Sequence, residues 1–323
     1  MRLFSRLMQY AVSMVGNRAN ALATPRHISP LRHGAMASYG LTVLLALSTN
    51  IHAAESVASI HFSGKILSST GSLPPKLSVI ADCDDERSRI VGEVKAGAYH
   101  IGLPAGVSCT VHVGERDWQS QPMLVFDAAV ALPRTVLVYP HKVPEPELSR
   151  ELIQMGEQDQ ALRGSFKGKL DADALKRAAA EDAARQQRLT EIIAAKGWPT
   201  ISMVGFQAAN SAWLIAQHTP RERKDQLKAW LVLMQAAADK HEILAFNLAT
   251  TIDRVLVYDD KKQLYGTQYR AGADGASEPY PIEDVANLDQ RRLSMGMSTN
   301  AYDLALKKRW AEKSASQAAP PKS

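Results

Sequence analysis

Eight residues, Pro140-His-Lys-Val-Pro-Glu-Pro-Glu147, separate two stretches of chain whose hydrophobic periods are incompatible. A segment this rich in proline is extended and offers few backbone donors, so neither a helix nor a central strand runs through it. Before it the period is two. Leu77, Val79, Ala81 and Cys83 alternate with Lys76, Ser78 and Asp82, and Val107, Cys109, Val111 and Val113 alternate with Ser108, Thr110 and His112. Such alternation marks half-buried strands. Further strands are predicted at 59–64, 89–94, 98–103, 123–126 and 134–139, separated by turns at 71–75, 95–97 and 104–106. Short strands at this spacing predict a small β-sandwich over residues 55–139.

Beyond the proline-rich linker (140–147) the period becomes helical, and a mainly α-helical domain is predicted over 148–313. Leu148, Leu152, Met155 and Leu162 mark a first helix. A long Ala-rich charged helix follows over 171–196, closed by Gly197 as a C-terminal cap, and then an apolar helix over 204–218. Thr219-Pro220-Arg221-Glu222 has the spacing of a capping box opening the next helix. Another helix is expected from near His241 to about Asp253, then a β-hairpin of 255–258 with 263–269, then a loop over 272–281. The last helices are expected at 282–293 and 300–310, with a disordered tail at 314–323. The fold class is thus α+β, a β-sandwich followed by helices with one hairpin.

Residues 1–54 are set apart as a leader. An apolar run over 40–48 is too short to span a bilayer and is followed by Ile51-His52-Ala53-Ala54, the pattern of a secretory signal cleaved near Ala53 or Ala54. A retained anchor is the alternative, and Met36 is an alternative start. The leader holds five arginines and no Asp or Glu, so it accounts for the whole formal charge of +5 and the remainder is formally neutral. Hence the high pI argues for neither a nucleic-acid partner nor an anionic membrane partner, and membrane contact is expected only in transit, through the signal segment. The expected location is periplasmic or secreted. In that setting Cys83 and Cys109 read as one disulfide, worth about 3–4 kcal/mol from loop entropy, with two buried free thiols as the alternative. Both lie on the apolar face of their strands, as a cross-core bridge requires.

The run from Gly92 to Gly106, with Gly97-Ala-Tyr-His-Ile-Gly-Leu-Pro-Ala-Gly106 at its centre, resembles the hairpin of carboxypeptidase-regulatory-like, transthyretin-like domains. That resemblance implies a non-catalytic accessory. His61, His100 and His112 have no ligand spacing and are taken as ordinary surface residues, so no metal is expected. The second half carries Asp159-Gln160 with Arg163, Gly197-Trp198-Pro199, Gln217-His218 and Asp253-Arg254-Val255. It continues with Tyr265-Gly266-Thr267-Gln268, Pro281-Ile282-Glu283-Asp284 and Asp289-Gln290-Arg291-Arg292. It is similar to a bacterial family known only as a domain of unknown function, from about Glu147 to Lys308. Thr219-Pro220 stands where that family has Ala-Asp, and the resemblance implies no activity.

Asp159, Arg163, His218, Asp253, Arg254, Gln268, Asp289 and Arg292 are costly to bury singly, so together they form a structural network or a ligand site. His218 ends a helix, where the dipole favours imidazolium and a raised pKa. It is the candidate general base, with Asp253 or Asp289 as its acid. Arg254, Gln268, Tyr265, Thr267, Trp198, Asp159, Arg163 and Arg292 are candidate ligand-binding residues. Asp253 and Arg254, adjacent at an element end, are expected to diverge. No Gly-x-Ser-x-Gly, phosphate-binding glycine loop or His-Glu-x-x-His occurs, which argues against familiar serine and zinc hydrolases, and no cofactor is expected. Three readings follow. In the first, a polar pocket binds a small or peptide-like ligand through Arg254 and His218. In the second, a hydrolase uses His218 as base. In the third, the chain is a structural or interaction module with a cell-envelope partner.

Overall fold

The computed structural model describes residues 59–84, 89–127, 129–164, 172–272, 277–301 and 303–305. The leader and the tail lie outside the described residues, as do residues 306–310 of the expected last helix.

The period-two half forms two ladders over one core. Strand β1 (Ser59–Ser68) pairs antiparallel with β5 (Ala98–Pro104) over Ser59–Lys65, and β5 pairs with β4 (Glu93–Lys95). Beyond Lys65 the same strand pairs in parallel with β9 (Val136–Pro140). That second ladder continues through β7 (Trp118–Ser120), β6 (Cys109–Glu115), β2 (Ser78–Cys83) and β3 (Ile90–Val91), with β8 (Met123–Val125) also on β6. Phe62, Ile66, Val79, Tyr99, Val111 and Val136 belong to the buried core between them.

The chain crosses between the ladders at two glycines. At Gly64 a Cβ would stand 1.7 Å from the Arg134 carbonyl oxygen, and at Gly92 it would stand 2.3 Å from that of His100. Only a residue without a side chain allows these approaches. The single strand expected over 89–94 is accordingly two, β3 and β4, which belong to different ladders on either side of Gly92. A disulfide joins Cys83 to Cys109. The two residues are direct partners on neighbouring antiparallel strands, so the bridge lies within one sheet and not across the core as expected.

The proline-rich segment is held on both sides: the amide of His141 donates to the Asp117 carbonyl, and that of Glu145 to the Met203 carbonyl. Helix α1 (Pro146–Gly164) begins within it, and α2 (Ala172–Lys196) follows, ending at Gly197 with φ +78°. After a single turn, α3 (Ile201–Val204), comes α4 (Phe206–Gln217), in which every residue from Ala208 onward is buried. It packs against α1, α2, α3, α5 (Lys224–Ala238) and α6 (Ala245–Tyr258). At its start, the Phe206 amide donates to the buried Tyr139 hydroxyl of β9 at 3.1 Å. No helix among the described residues is long and apolar enough to cross a membrane.

Three local expectations are corrected. Residues 255–258 are the last turn of α6 and not a strand, and the hairpin is β10 (Tyr269–Ala271) with β11 (Ser277–Pro279). The helix expected to start near His241 starts at Ala245, because His241 itself takes a left-handed turn at φ +59°. No capping box forms at Thr219. Pro220 opens a single 3-10 turn over Arg221–Arg223 without a side-chain cap, and the buried Thr219 hydroxyl has no partner among the described residues.

Candidate functional site

Three helices deliver side chains to the C-terminal end of α4. On α1, Asp159 and Arg163 are four residues apart and therefore on one face, with Arg163 Nη1 at 2.9 Å from Asp159 Oδ1. From α2, Asp182 and Arg185 complete a square of charge. Arg163 donates through both terminal nitrogens to Asp182 at 3.2 and 2.9 Å, and Arg185 Nη2 donates to Asp182 at 2.9 Å. His218, the residue capping α4, places Nδ1 at 2.9 Å from Asp159 Oδ1, and Gln160 donates to the other oxygen at 2.8 Å. Asp159 is only 1% exposed. Burial works against ionised Asp182, yet the hydrogen bonds from Arg163 and Arg185 bring its carboxyl below the usual range.

Helix α6 supplies the last cation. Thr251 meets the Gln217 amide and Tyr258 donates its hydroxyl to the Thr219 carbonyl at 2.8 Å, so the face of α6 through 251, 254 and 258 lies along the end of α4. Arg254 is on that face, close enough to His218 to lower its pKa. Among the described residues it makes no hydrogen bond or ion pair, and its Nε is buried without a partner. Of the other buried and part-buried arginines around it, Arg163 and Arg185 pair with Asp159 and Asp182, Arg185 also with Glu181, Arg292 has Asp303, and Arg223 donates to the Gln186 side chain. Arg254 alone of these has no partner among the described residues.

His218 does not carry the raised pKa expected of a helix C-terminus. Burial lowers it, with Arg163 and Arg254 acting in the same direction, and the Asp159 hydrogen bond opposes them. A helix C-terminus is worth at most about 2 kcal/mol to a cation, and here burial outweighs it. With Asp159 accepting at Nδ1, the neutral ring carries its proton there and presents the Nε2 lone pair. Five of the ten buried side-chain atoms lacking a partner among the described residues belong to Arg163, Arg185, Gln217, Thr219 and Arg254. Orphaned polar groups at this density are unusual in a finished core.

The remaining candidates gather on the far face of α6. Asp253 is fully buried and accepts from the backbone amides of Leu264 (2.7 Å), Tyr265 (3.0 Å) and Thr267 (3.0 Å) and from the Thr267 hydroxyl (2.9 Å). Burial pushes its carboxyl up against those bonds. Gln268 donates to the Thr267 hydroxyl, and its own amide donates to the Gln263 side chain at 2.8 Å. Arg292, on α7 (Leu288–Ser294), donates to the Tyr265 and Ser298 carbonyls at 2.7 Å. Asp253, Tyr265, Thr267, Gln268 and Arg292 thus hold one turn together, and Asp253 and Arg254 diverge. The acid beside His218 is Asp159, whereas Asp289 accepts from the Asn300 amide. Trp198 is buried after α2 and joins neither set.

Sequence reasoning missed Asp182 and Arg185, and quoted Gln217 only within the Gln217-His218 motif and not as a candidate site residue. One signal was present: Arg185 interrupts the otherwise apolar stripe Ala178–Leu189–Ile192 of α2, a position where a charge needs a partner. Among the described residues no three His, Cys, Asp or Glu are grouped to hold a metal.

No curated protein and no solved structure matches the chain significantly. Residues 146–308, from the first residue of α1 through α7 and beyond, match a family of unknown function (DUF6624) whose extent takes in both polar clusters. The chain belongs to this family of unknown function.

Proposed function

We propose that the helical half binds a small or peptide-like anionic ligand between His218 and Arg254, in an exported protein whose β half is an accessory. The observation that carries the reading is Arg254, which has no partner among the described residues. The guanidiniums of Arg163 and Arg185 take up Asp159, Asp182 and Glu181, whereas Arg254 pairs with no acid among the described residues and brings its positive charge to a part-buried place. A part-buried charge is tolerated when a counter-ion completes it. Guanidinium suits carboxylate and phosphate because its fork donates two parallel hydrogen bonds. Export is supported by the basic, acid-free leader with its short apolar run and by the disulfide, which persists in oxidising compartments. The accessory role rests on the transthyretin-like hairpin motif.

Arg254→Ala tests the reading in the full chain. Because binding groups are held at a cost, the variant is expected to melt at the parent's temperature or a few degrees higher. The parent should gain stability saturably with acetate or inorganic phosphate, and the variant should not. A parent unmoved by either anion, or a variant that still responds, ends the proposal.

The Asp159–His218 pair favours one further reading, a hydrolase with His218 as general base, since Nε2 is unprotonated and unpaired among the described residues. One variant, His218→Gln, reads both consequences. A folded pKa below the ordinary 6.5 means that the unfolded chain takes up the proton first as pH falls. Stability from this group is therefore complete above about pH 6.5 and lost as pH drops toward the folded value. The charged groups facing the ring are Asp159, Arg163 and Arg254. The variant should lose less stability on acidification than the parent, while His112, whose pKa burial also lowers, contributes equally to both. If the parent hydrolyses esters or amides, an undiminished rate in His218→Gln removes the catalytic reading, and an unchanged pH–stability curve removes the neutral buried imidazole.

A further inference from the structure

A cleft of about 530 Å³ lies between the end of β1 and the turn after α5, and no residue of either polar cluster lines it. A concavity of that size, placed where two parts of a chain meet, suits a small molecule. Strand register shows why it is there. Along β9 the core residues Val136 and Val138 alternate with Leu137 and Tyr139, which point outward. Both outward residues are nonetheless buried, and the Phe206 amide on the Tyr139 hydroxyl places the helical half over that face. Leu67 of β1 is the direct ladder partner of Leu137 and so faces the same way. The helical half leaves it uncovered: Leu137 is 4% exposed and Leu67 is 40% exposed. Leu73, 39% exposed in the loop after β1, lines the same cleft. A single exposed leucine is ordinary, whereas two in one concavity with a third beneath them make an apolar binding surface.

The opposite wall carries charge. It is the turn ending α5, where the left-handed His241 leaves Lys240 and Glu242 in the cleft. Glu242 is already engaged, one carboxylate oxygen accepting from the Ser202 amide at 2.8 Å and the other from the Ser202 hydroxyl. The Lys240 ammonium makes no hydrogen bond or ion pair among the described residues. The charged group left to meet a ligand is therefore a cation, which attracts a carboxylate and repels an alkylammonium. We propose that this cleft binds a medium-chain aliphatic carboxylate, its chain against Leu67, Leu73 and Leu137 and its acid group at Lys240. A lysine suits the place, since its aliphatic stem covers apolar surface while the ammonium stays in water. The site is independent of the anion site at Arg254.

The full chain is titrated by calorimetry with hexanoate, octanoate, decanoate and laurate below their micelle concentrations, and with octanol and octylamine. Affinity should rise about two- to fourfold per added methylene, as buried chain does, and stop rising once the cleft is full. Octanoate should bind about threefold tighter than octanol or octylamine, the worth of one exposed ion pair. Lys240→Met should bring octanoate down to octanol, and Leu67→Asn should flatten the rise with chain length. Both side chains are exposed, so neither change disturbs the core. Arg254→Ala should leave the series unchanged, which separates this site from the one at Arg254. No binding, affinity independent of chain length, or octanol or octylamine equal to octanoate overturns the proposal. So does a Leu67→Asn variant that behaves as the parent, or an apolar peptide that outbinds every fatty acid. The ligand series on the parent chain decides the matter even if a variant does not fold.

Discussion

Asp253→Ala is expected to destabilise the full chain by about 4 kcal/mol or more, measured as the shift in denaturant midpoint at unchanged slope. The carboxylate collects three backbone amides and one hydroxyl of the 264–267 turn within 2.7–3.0 Å, and it is fully buried beneath them. Removing it strands backbone donors that have no other acceptor among the described residues, and each buried orphan costs roughly 1–3 kcal/mol before the turn relaxes toward water. Asp253→Asn keeps the volume but turns an N–H toward other N–H groups, so it should fall between parent and alanine. The turn has a second anchor in Arg292, which grips the Tyr265 carbonyl from α7. If Asp253→Ala cost less than about 1 kcal/mol, Arg292 would be the main fastening and the carboxylate a minor one.

This assignment explains why the region was misread from sequence. Asp253, Val255 and Val257 are buried, as is Thr251, while Ile252, Arg254 and Leu256 are less so. That is the alternation of a strand. In α6 it arises because the helix is covered on two opposite faces. Thr251 meets α4, and Asp253, two residues on, faces away toward the turn. A helix sandwiched between two layers buries residues at i and i+2 on opposite sides and imitates period two. The β half offered no such ambiguity, since each of its strands covers one core, and there the alternation of Val79–Cys83 and Val107–Val113 survives in β2 and β6. What alternation could not show was where the chain changes sheet. That depends on close backbone approach at Gly64 and Gly92, a tertiary fact. The polar residues were legible as costly to bury but not as two separate sets. Adjacent positions on a helix point about 100° apart, so Asp253 and Arg254 belong to different neighbourhoods although they touch in sequence.

Asp159→Ala is the second large effect, about 3–5 kcal/mol of lost stability, the range for removing one partner from a buried ion cluster. Arg163 would keep only Asp182, Arg185 would keep Asp182 and the more exposed Glu181, and His218 would lose the acceptor that fixes its tautomer. The more informative substitution is Asp159→Asn. It retains volume and leaves an oxygen to accept from Nδ1, but it removes a negative charge from beneath the ring. The site's positive excess then rises by one. If the cluster exists to bind an anion, acetate should bind Asp159→Asn at least as tightly as it binds the parent, whatever the melt shows. If Asp159 serves to strengthen His218 as a base, neutralising it should cost turnover without costing affinity. Weaker binding of acetate to Asp159→Asn contradicts the electrostatic argument for Arg254 itself, because adding net positive charge beside a true anion site does not repel its ligand.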